Sequence, residues 1–403
     1  MPLSPATQEH QVLPAARRSS EPLRVLHLYA GNLYGGVERM LVTMQRQRAH
    51  APRLASEFAC CFAGRLWREL EDAGGVVHDL GQVRLSRPWT VWRARHRLAK
   101  LIRQGEYRAC VTHSGWLNAV FGPAIRRSDA TWACWVHGPL GGQWYERWGL
   151  APRPDALIAN SHFTLRTLRS ESPQFSSIPA AVVHCPVEVS SRGKDDAVRR
   201  RMRESLGCPE GRQVLICSSR LEPLKGHRLL LESLSRLGDA VDWECWIVGG
   251  AQRAPEHQYL EGLRAIASAA KIEDRVRFLG QRSDVAELLL AADVHCQPNT
   301  APDSFGIAFI EAMLAELPVV TTRMGGAEEI IEHGRSGLLV EPGQPEPLAA
   351  AIRALLQSPE LRDRLGSAAR ERAIELCDPS GRMPDIQTML LDLLHDDARE
   401  RSA

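Results

Sequence analysis

Residues 297–343 read QPNTAPDSFGIAFIEAMLAELPVVTTRMGGAEEIIEHGRSGLLVEPG. The pattern is strand end, loop, helix, strand, glycine pair, helix, strand, which is the alternation of a parallel sheet with helical crossovers. Asp303 and Glu311, with seven residues between them, bracket the first loop-to-helix junction. A helix beginning near Phe305 leaves Asp303 in the loop and places Glu311 about two turns in. Both carboxylates then face the cleft at the C-terminal edge of the sheet, where open α/β folds bind ligands. The free N–H groups and dipole at that helix start attract an anion such as a diphosphate.

The same alternation runs outward through the chain. In the first half it predicts strands over 24–29, 57–62, 76–80, 108–112, 131–136 and 155–159. Helices fall over 36–48, 89–104, near 116–125 and from Ser161. It breaks at 190–210, a polar, charge-rich stretch, and restarts with strands over 213–218, 243–248, 275–279, 294–297, 318–322 and 337–341. The 403 residues are too many for one ordinary domain. The expected organisation is a disordered tail over 1–22, an N-terminal Rossmann-like domain over 23–189 and a linker over 190–210. A C-terminal Rossmann-like domain over 211–380 follows, then a C-terminal helix over 381–403 placed to pack back on the first domain. The fold class is α/β, with two parallel sheets facing across a cleft.

Composition excludes several classes. Hydrophobic residues at 44% and charged residues at 24% describe a globular protein. No apolar run is long enough to cross a bilayer. The first 22 residues lack the apolar core of a signal peptide. The ten cysteines show no C-x-x-C pair and read as buried thiols of a reducing compartment, so a cytoplasmic protein is expected. Residues 1–200 hold 27 Lys+Arg against 16 Asp+Glu, and the remainder 23 against 32. The two halves therefore face different partners or attract each other across the cleft. Basic residues are scattered and no recognition motif is present, which disfavours nucleic acid.

A second motif, Ser218-Ser219-Arg220-Leu221-Glu222-Pro223-Leu224-Lys225-Gly226, follows a strand and opens a helix. Arg220 and Lys225 there suit a diphosphate, whose developing charge cations stabilise as a bond to it breaks. The chain has only four lysines, so a lysine at this point is a choice against arginine. A third, Gly31-Asn32-Leu33-Tyr34-Gly35-Gly36-Val37-Glu38-Arg39, is a glycine-bearing loop that brings backbone close to a phosphate or sugar. It lacks the G-x-G-x-x-G spacing of dinucleotide sites. His137-Gly138 ends an apolar strand and faces the cleft. His113 ends another, as a second ligand contact or a strand cap.

These motifs resemble, together and over nearly the whole chain from residue 23, the retaining glycosyltransferases of family 4, which have the GT-B fold. The resemblance is densest in Asp303-Ser304-Phe305-Gly306 through Glu311-Ala312-Met313 to Pro318-Val319-Val320, with Gly325-Gly326, Glu329 and Gly337-Leu338-Leu339-Val340 after it. One departure is plain: the first acidic position is usually glutamate and here is Asp303, one methylene shorter. The resemblance implies transfer of a sugar from a nucleotide diphosphate sugar to an acceptor, with retention of configuration, no cofactor and no obligatory metal.

By the same resemblance, Glu311 receives the ribose hydroxyls and Asp303 the donor-sugar hydroxyls. Arg220 and Lys225 neutralise the diphosphate with N–H groups near Gly306 and Ile307, and Phe305 shares in substrate binding. His137 positions the sugar, and Gly35-Gly36 line the donor–acceptor junction. Gly280-Gln281-Arg282 is a base contact or a turn, and Asn160-Ser161 a family element or a simple helix N-cap. Trp144, Tyr145 and Trp148 are acceptor-side aromatics or loop anchors. Residues 89–104, with Arg93, Arg95, Arg97, Lys100, Arg103 and His96, form a basic amphipathic helix. It either meets the inner face of a membrane carrying a lipid-linked acceptor or is an ordinary surface helix. A UDP-sugar epimerase of the same fold and a non-catalytic nucleotide-sugar binder are the alternatives, and the oligomeric state is not encoded in any motif.

Overall fold

The structure, a computed structural model, describes residues 21–31, 34–138, 153–189, 193–238, 241–251 and 253–400. Most of residues 1–22, Asn32 and Leu33, residues 139–152 with the aromatic candidates Trp144, Tyr145 and Trp148, and residues 190–192 lie outside that range.

Seven strands make the first sheet: β1 (Leu23–Tyr29), β2 (Leu54–Cys60), β3 (Val77–Asp79), β4 (Ala109–Thr112), β5 (Thr131–Val136), β6 (Ala156–Ala159) and β7 (Ala180–Val182). Their order is β3-β2-β1-β4-β5-β6-β7 and every pairing is parallel. Six make the second: β8 (Gln213–Ser218), β9 (Trp243–Val248), β10 (Val276–Gly280), β11 (Val294–Cys296), β12 (Val319–Thr322) and β13 (Gly337–Val340). Their order is β10-β9-β8-β11-β12-β13, again all parallel. Strands such as β5 and β9 are buried at every residue because helices cover both faces. Their sequences are consequently near-continuous apolar runs.

Both sheets reverse their winding once, the first between β1 and β4 and the second between β8 and β11. Loops leaving adjacent strands at such a point diverge and open a crevice at the carboxyl ends. The loops that follow β1, β4, β8 and β11 carry the glycine loop, His113, the Arg220–Lys225 segment and Asp303 respectively.

The helix of the signature stretch spans Ile307–Leu314, two residues later than its sequence predicts. Gly306 has φ +99°, a left-handed conformation that stops helix at its N-terminal side. Glu311 is therefore just over one turn in, not two. Two further elements were not expected: the polar helix Arg65–Asp72, and β7, a three-residue edge strand.

The chain crosses between the domains twice. Helix Asp196–Ser205 docks on the second domain, where Arg199 and Arg203 each reach Asp293 at 2.6 Å. Helix Pro359–Cys377 ends the second domain, and helix Pro379–Glu400 returns to the first. There Gln387 Oε1 accepts from the Arg53 N–H at 2.8 Å, and Met383, Ile386 and Leu390 join the apolar core of Met40 and Met44. The two crossings are tied together by Val187 N–H donating to Cys377 O at 3.0 Å. All ten cysteines are free thiols, and all but Cys208 are buried. Among the described residues no helix is long and apolar enough to cross a membrane.

Candidate functional site

The end of β8 and the end of β11 meet at Gly226. Its φ is +74°, and a Cβ there would fall 1.7 Å from the Pro298 carbonyl oxygen, so only glycine allows this approach. Thr300 adds a backbone bond to Leu224 O at 2.9 Å and a hydroxyl bond to Pro223 O at 3.1 Å. The result carries Lys225 Nζ to 2.6 Å from Asp303 Oδ2, with both side chains largely buried. Asp303 Oδ1 accepts from Ser304 N–H at 3.0 Å. The sequence gives these residues separate duties, on phosphate and on sugar. The structure places them as one ion pair.

Glu311 lies on the helix face turned to the first domain, where it pairs with Arg39 of helix Gly36–Arg46. Burial pushes its carboxyl above the usual range, and the Arg39 charge and hydrogen bond oppose that. A cavity of about 170 Å³ opens beside the pair, with Tyr34, Ile307, Leu289 and Pro186 in its wall. Gly36 packs against the Glu311 helix, since a Cβ there would lie 3.0 Å from Ile307 Cδ1. Arg39 carries no assigned role in the sequence. Its position one turn after Gly35 was the available signal.

Glu38 of the glycine loop is buried and accepts from Gly35 N–H at 2.8 Å and from the Tyr29 hydroxyl at 2.7 Å. It shapes the loop and is not presented to a ligand. Burial raises its carboxyl, while Tyr29, backbone N–H groups and the Arg220 charge pull it down. Arg220 thus lies near the first domain's loop from across the cleft. Its side chain is 56% exposed and meets Glu222 at 2.7 Å, which leaves it able to turn toward an arriving anion.

His137 follows β5 and His113 follows β4. His113 is 3% exposed, which favours the second of its two readings, a structural place at the strand end. Its strand end turns the ring down into the core, where Nδ1 lies 3.0 Å from His137 Nε2 and Nε2 lies 3.1 Å from His27 Nδ1. Burial holds all three rings neutral: His27 falls to about 4, His137 to about 3, and His113 well below its ordinary value with help from its histidine neighbours. Phe305 is buried too, 2% exposed, and stacks on His184 with ring centroids 5.3 Å apart.

The signature loop also joins the domains. Ser161 Oγ caps helix His162–Glu171, accepting from Thr164 N–H at 3.0 Å, and donates to Ser304 O at 2.6 Å. Glu329 accepts from the N–H groups of His162 at 2.8 Å and Phe163 at 2.5 Å, a carboxylate set on a helix N-terminus. Asn160 Nδ2 donates to His137 O at 3.3 Å. Asn160-Ser161 is thus an N-cap and an interdomain contact at once. Arg282 follows edge strand β10 and sets its fork on Asp284 at 2.8 and 2.5 Å. Among the described residues no group of three or more His, Cys, Asp or Glu is placed to hold a metal ion.

Comparison with known proteins agrees with this geometry. The family described as Glycosyltransferase Family 4 matches residues 34–191, and that described as Glycosyl transferases group 1 matches residues 198–372. N-acetyl-alpha-D-glucosaminyl L-malate synthase of Bacillus anthracis is 31% identical over 198 residues, 49% of this chain and 50% of that protein. A GDP-mannose-dependent alpha-(1-6)-phosphatidylinositol monomannoside mannosyltransferase of Mycolicibacterium smegmatis is 33% identical over 226 residues, 53% of this chain and 57% of that protein. The chain thus spans about half the length of the curated relatives it matches. Among solved structures, Anabaena Alr3699/HepE in complex with UDP-glucose superposes with a TM-score of 0.80 at 23% identity, over 92% of this chain and 100% of that one. Sucrose-phosphate synthase from Thermosynechococcus elongatus gives 0.76 at 18%, over 93% and 100%. With one family model on each domain and the two-sheet architecture shared along the whole length, the chain belongs to the family 4, group 1 glycosyltransferases and has the GT-B fold.

Proposed function

We propose that the protein transfers a sugar from a nucleotide diphosphate sugar to a carbohydrate or lipid-linked acceptor, with retention of configuration. The observation that carries this reading is the Lys225–Asp303 pair at the switch point of the second sheet, with Arg220 beside it and His137 on the facing domain. Lys225 and Arg220 take the diphosphate, together with the N–H groups at the start of helix Ile307–Leu314. Asp303, once Lys225 turns to phosphate, receives donor-sugar hydroxyls, and Glu311 receives the ribose. His137 holds the sugar from the other side. Charge developing on the leaving diphosphate is stabilised by the same cations. In a front-face displacement that phosphate takes the acceptor proton, so the protein need supply no nucleophile, and no metal or cofactor is required.

The acceptor belongs to the first domain. Helix Pro88–Gly105 exposes Trp89 and Trp92 at 58% and 61%, beside Arg93, Arg97 and Lys100. This composition suits an anionic membrane surface bearing a lipid-linked acceptor. UDP-sugars are the first donors to try, because a solved relative of the same fold holds UDP-glucose.

Thermal unfolding with UDP, GDP, ADP and their sugars tests the reading, with Lys225→Ala and Glu311→Ala alongside. A bound donor stabilises by about 2.7 kcal/mol at a hundredfold excess over its dissociation constant. Stabilisation by one nucleotide class, lost in both variants, is the expected result. No shift with any nucleotide removes the donor site as drawn.

A further inference from the structure

Three imidazoles, the buried His27 in β1 and His113 after β4 and the part-buried His137 after β5, form an unbroken hydrogen-bonded row from the core of the first domain toward the cleft. The planes of His113 and His137 are parallel within 12°, and those of His27 and His113 within 31°. His27 stacks on Phe58, and both outer rings of the row pack against aromatic neighbours, His137 on Trp135. We infer that His27 and His113 are positioning residues that fix the tautomer of His137, so that its Nδ1 meets the cleft as an N–H donor. This rests on the reading of His137 as a donor-sugar contact and adds which hydrogen-bond partner it seeks, namely a hydroxyl oxygen of the sugar.

The tautomer follows from counting protons. Three neutral rings carry three N–H groups, and the two links in the row use two of them. Both links must run in the same direction, because His113 has one donor and one acceptor nitrogen. The third N–H therefore sits at one end of the row, on His27 Nε2 or on His137 Nδ1. Both atoms are buried and have no hydrogen-bond partner among the described residues. At His27 Nε2 the proton would be an orphaned donor sealed in the core, where no water can answer it. At His137 Nδ1 it stands at the strand end beside Gly138, whose added Cβ would lie 4.0 Å from Ser304 Oγ of the signature loop. His137 is part-buried where His27 is wholly enclosed, so a sugar arriving at that strand end can bring an accepting oxygen to it. The row thus settles with the proton at the cleft end, all three rings carrying it on Nδ1: His27 donates to His113, and His113 donates to His137. Burial of the rings keeps them uncharged, which preserves the single direction.

The test reads the tautomers directly by long-range proton–nitrogen correlation spectroscopy on histidine-labelled protein, without substrate. Three Nδ1–H rings are expected, and Nε2–H on His137 would overturn the inference. His27→Phe removes the donor to His113 and should leave His137 in mixed tautomers, with kcat lowered about tenfold and the nucleotide KM little changed. His27→Asn, which returns an N–H near the Nδ1 position, should restore both. A His27→Phe protein with the wild-type tautomer on His137 counts against the row as surely as the wild-type spectrum can. His137→Ala separates the two claims. If it leaves donor binding and turnover intact, the sugar contact fails, while the spectra alone judge the row.

Discussion

Lys225 and Asp303 stand 78 residues apart in sequence and 2.6 Å apart in space, each holding the other in the ligand-free cleft. On the proposed reading, a donor whose phosphate draws Lys225 away exchanges this ion pair for one with phosphate and leaves the Asp303 carboxylate to the sugar hydroxyls, hydrogen-bonded in place of ion-paired.

Asp303→Asn breaks this exchange selectively. Free nucleoside diphosphate should bind several-fold more tightly, because Lys225 no longer has an anionic competitor. Sugar transfer should fall by about a hundredfold or more through loss of the sugar contact. Calorimetry with the free nucleotide and initial rates with the sugar donor measure the two separately. A parallel loss in both would show that Asp303 serves only to orient Lys225.

Arg39 opposes the effect of burial on Glu311, so Arg39→Met should raise the Glu311 carboxyl further. A carboxyl raised on folding contributes stability fully below its ordinary value of 4.5, and that contribution is lost as pH rises through the folded value. The variant should therefore be near wild type in stability around pH 4.5 and weaker at pH 8. About 1 kcal/mol is expected, since the Arg39 side chain is 47% exposed and screened by solvent. Urea unfolding across this range checks the sign, and a Glu311→Gln background should abolish the difference.

The histidine row makes the first domain acid-sensitive. His27 and His137 have folded values near 4 and 3, below their ordinary 6.5, so the unfolded chain binds protons first as pH falls. Stability is fully present above pH 6.5 and declines below it, by up to about 1.4 kcal/mol per pH unit for each such ring. His27→Phe should flatten the slope of unfolding free energy between pH 6 and 4.5 by about one ring's share. An unchanged slope would mean that His27 does not stay neutral in the fold.

Asp293 anchors helix Asp196–Ser205 through both Arg199 and Arg203, and accepts from Val214 N–H at 2.6 Å. Its side chain is 7% exposed. Asp293→Asn strips the counter-charge from two arginines and should cost about 3 kcal/mol. The loss should show in denaturant unfolding, whereas Arg335→Gln, at an exposed pair with Glu332, should cost under about 1 kcal/mol.

Strands were the legible part of this fold. Thr131–Val136, Gln213–Ser218 and Trp243–Val248 end where their apolar runs end, because helices on both faces make burial continuous along them. Ala180–Val182 escaped notice because three small residues at a sheet edge leave almost no pattern. Residue types in the candidate site were also legible, but their partners were not. Glu311 finds Arg39, and Ser304 finds Ser161, only after two separate sheets bring three strand ends together. Phe305 and His113 show the same limit from the other side. Local spacing places a residue at a cleft edge but does not say whether its ring turns outward or down.

Where the chain passes between its halves, two segments run side by side and are stitched by the Val187–Cys377 bond. One such segment would be a tether, about which the halves could tumble in any sense. Two make an axle. A second crossing removes directions in which one half could move against the other, so the alignment of His137 with Asp303 is held by the covalent path as well as by the contacts across the cleft.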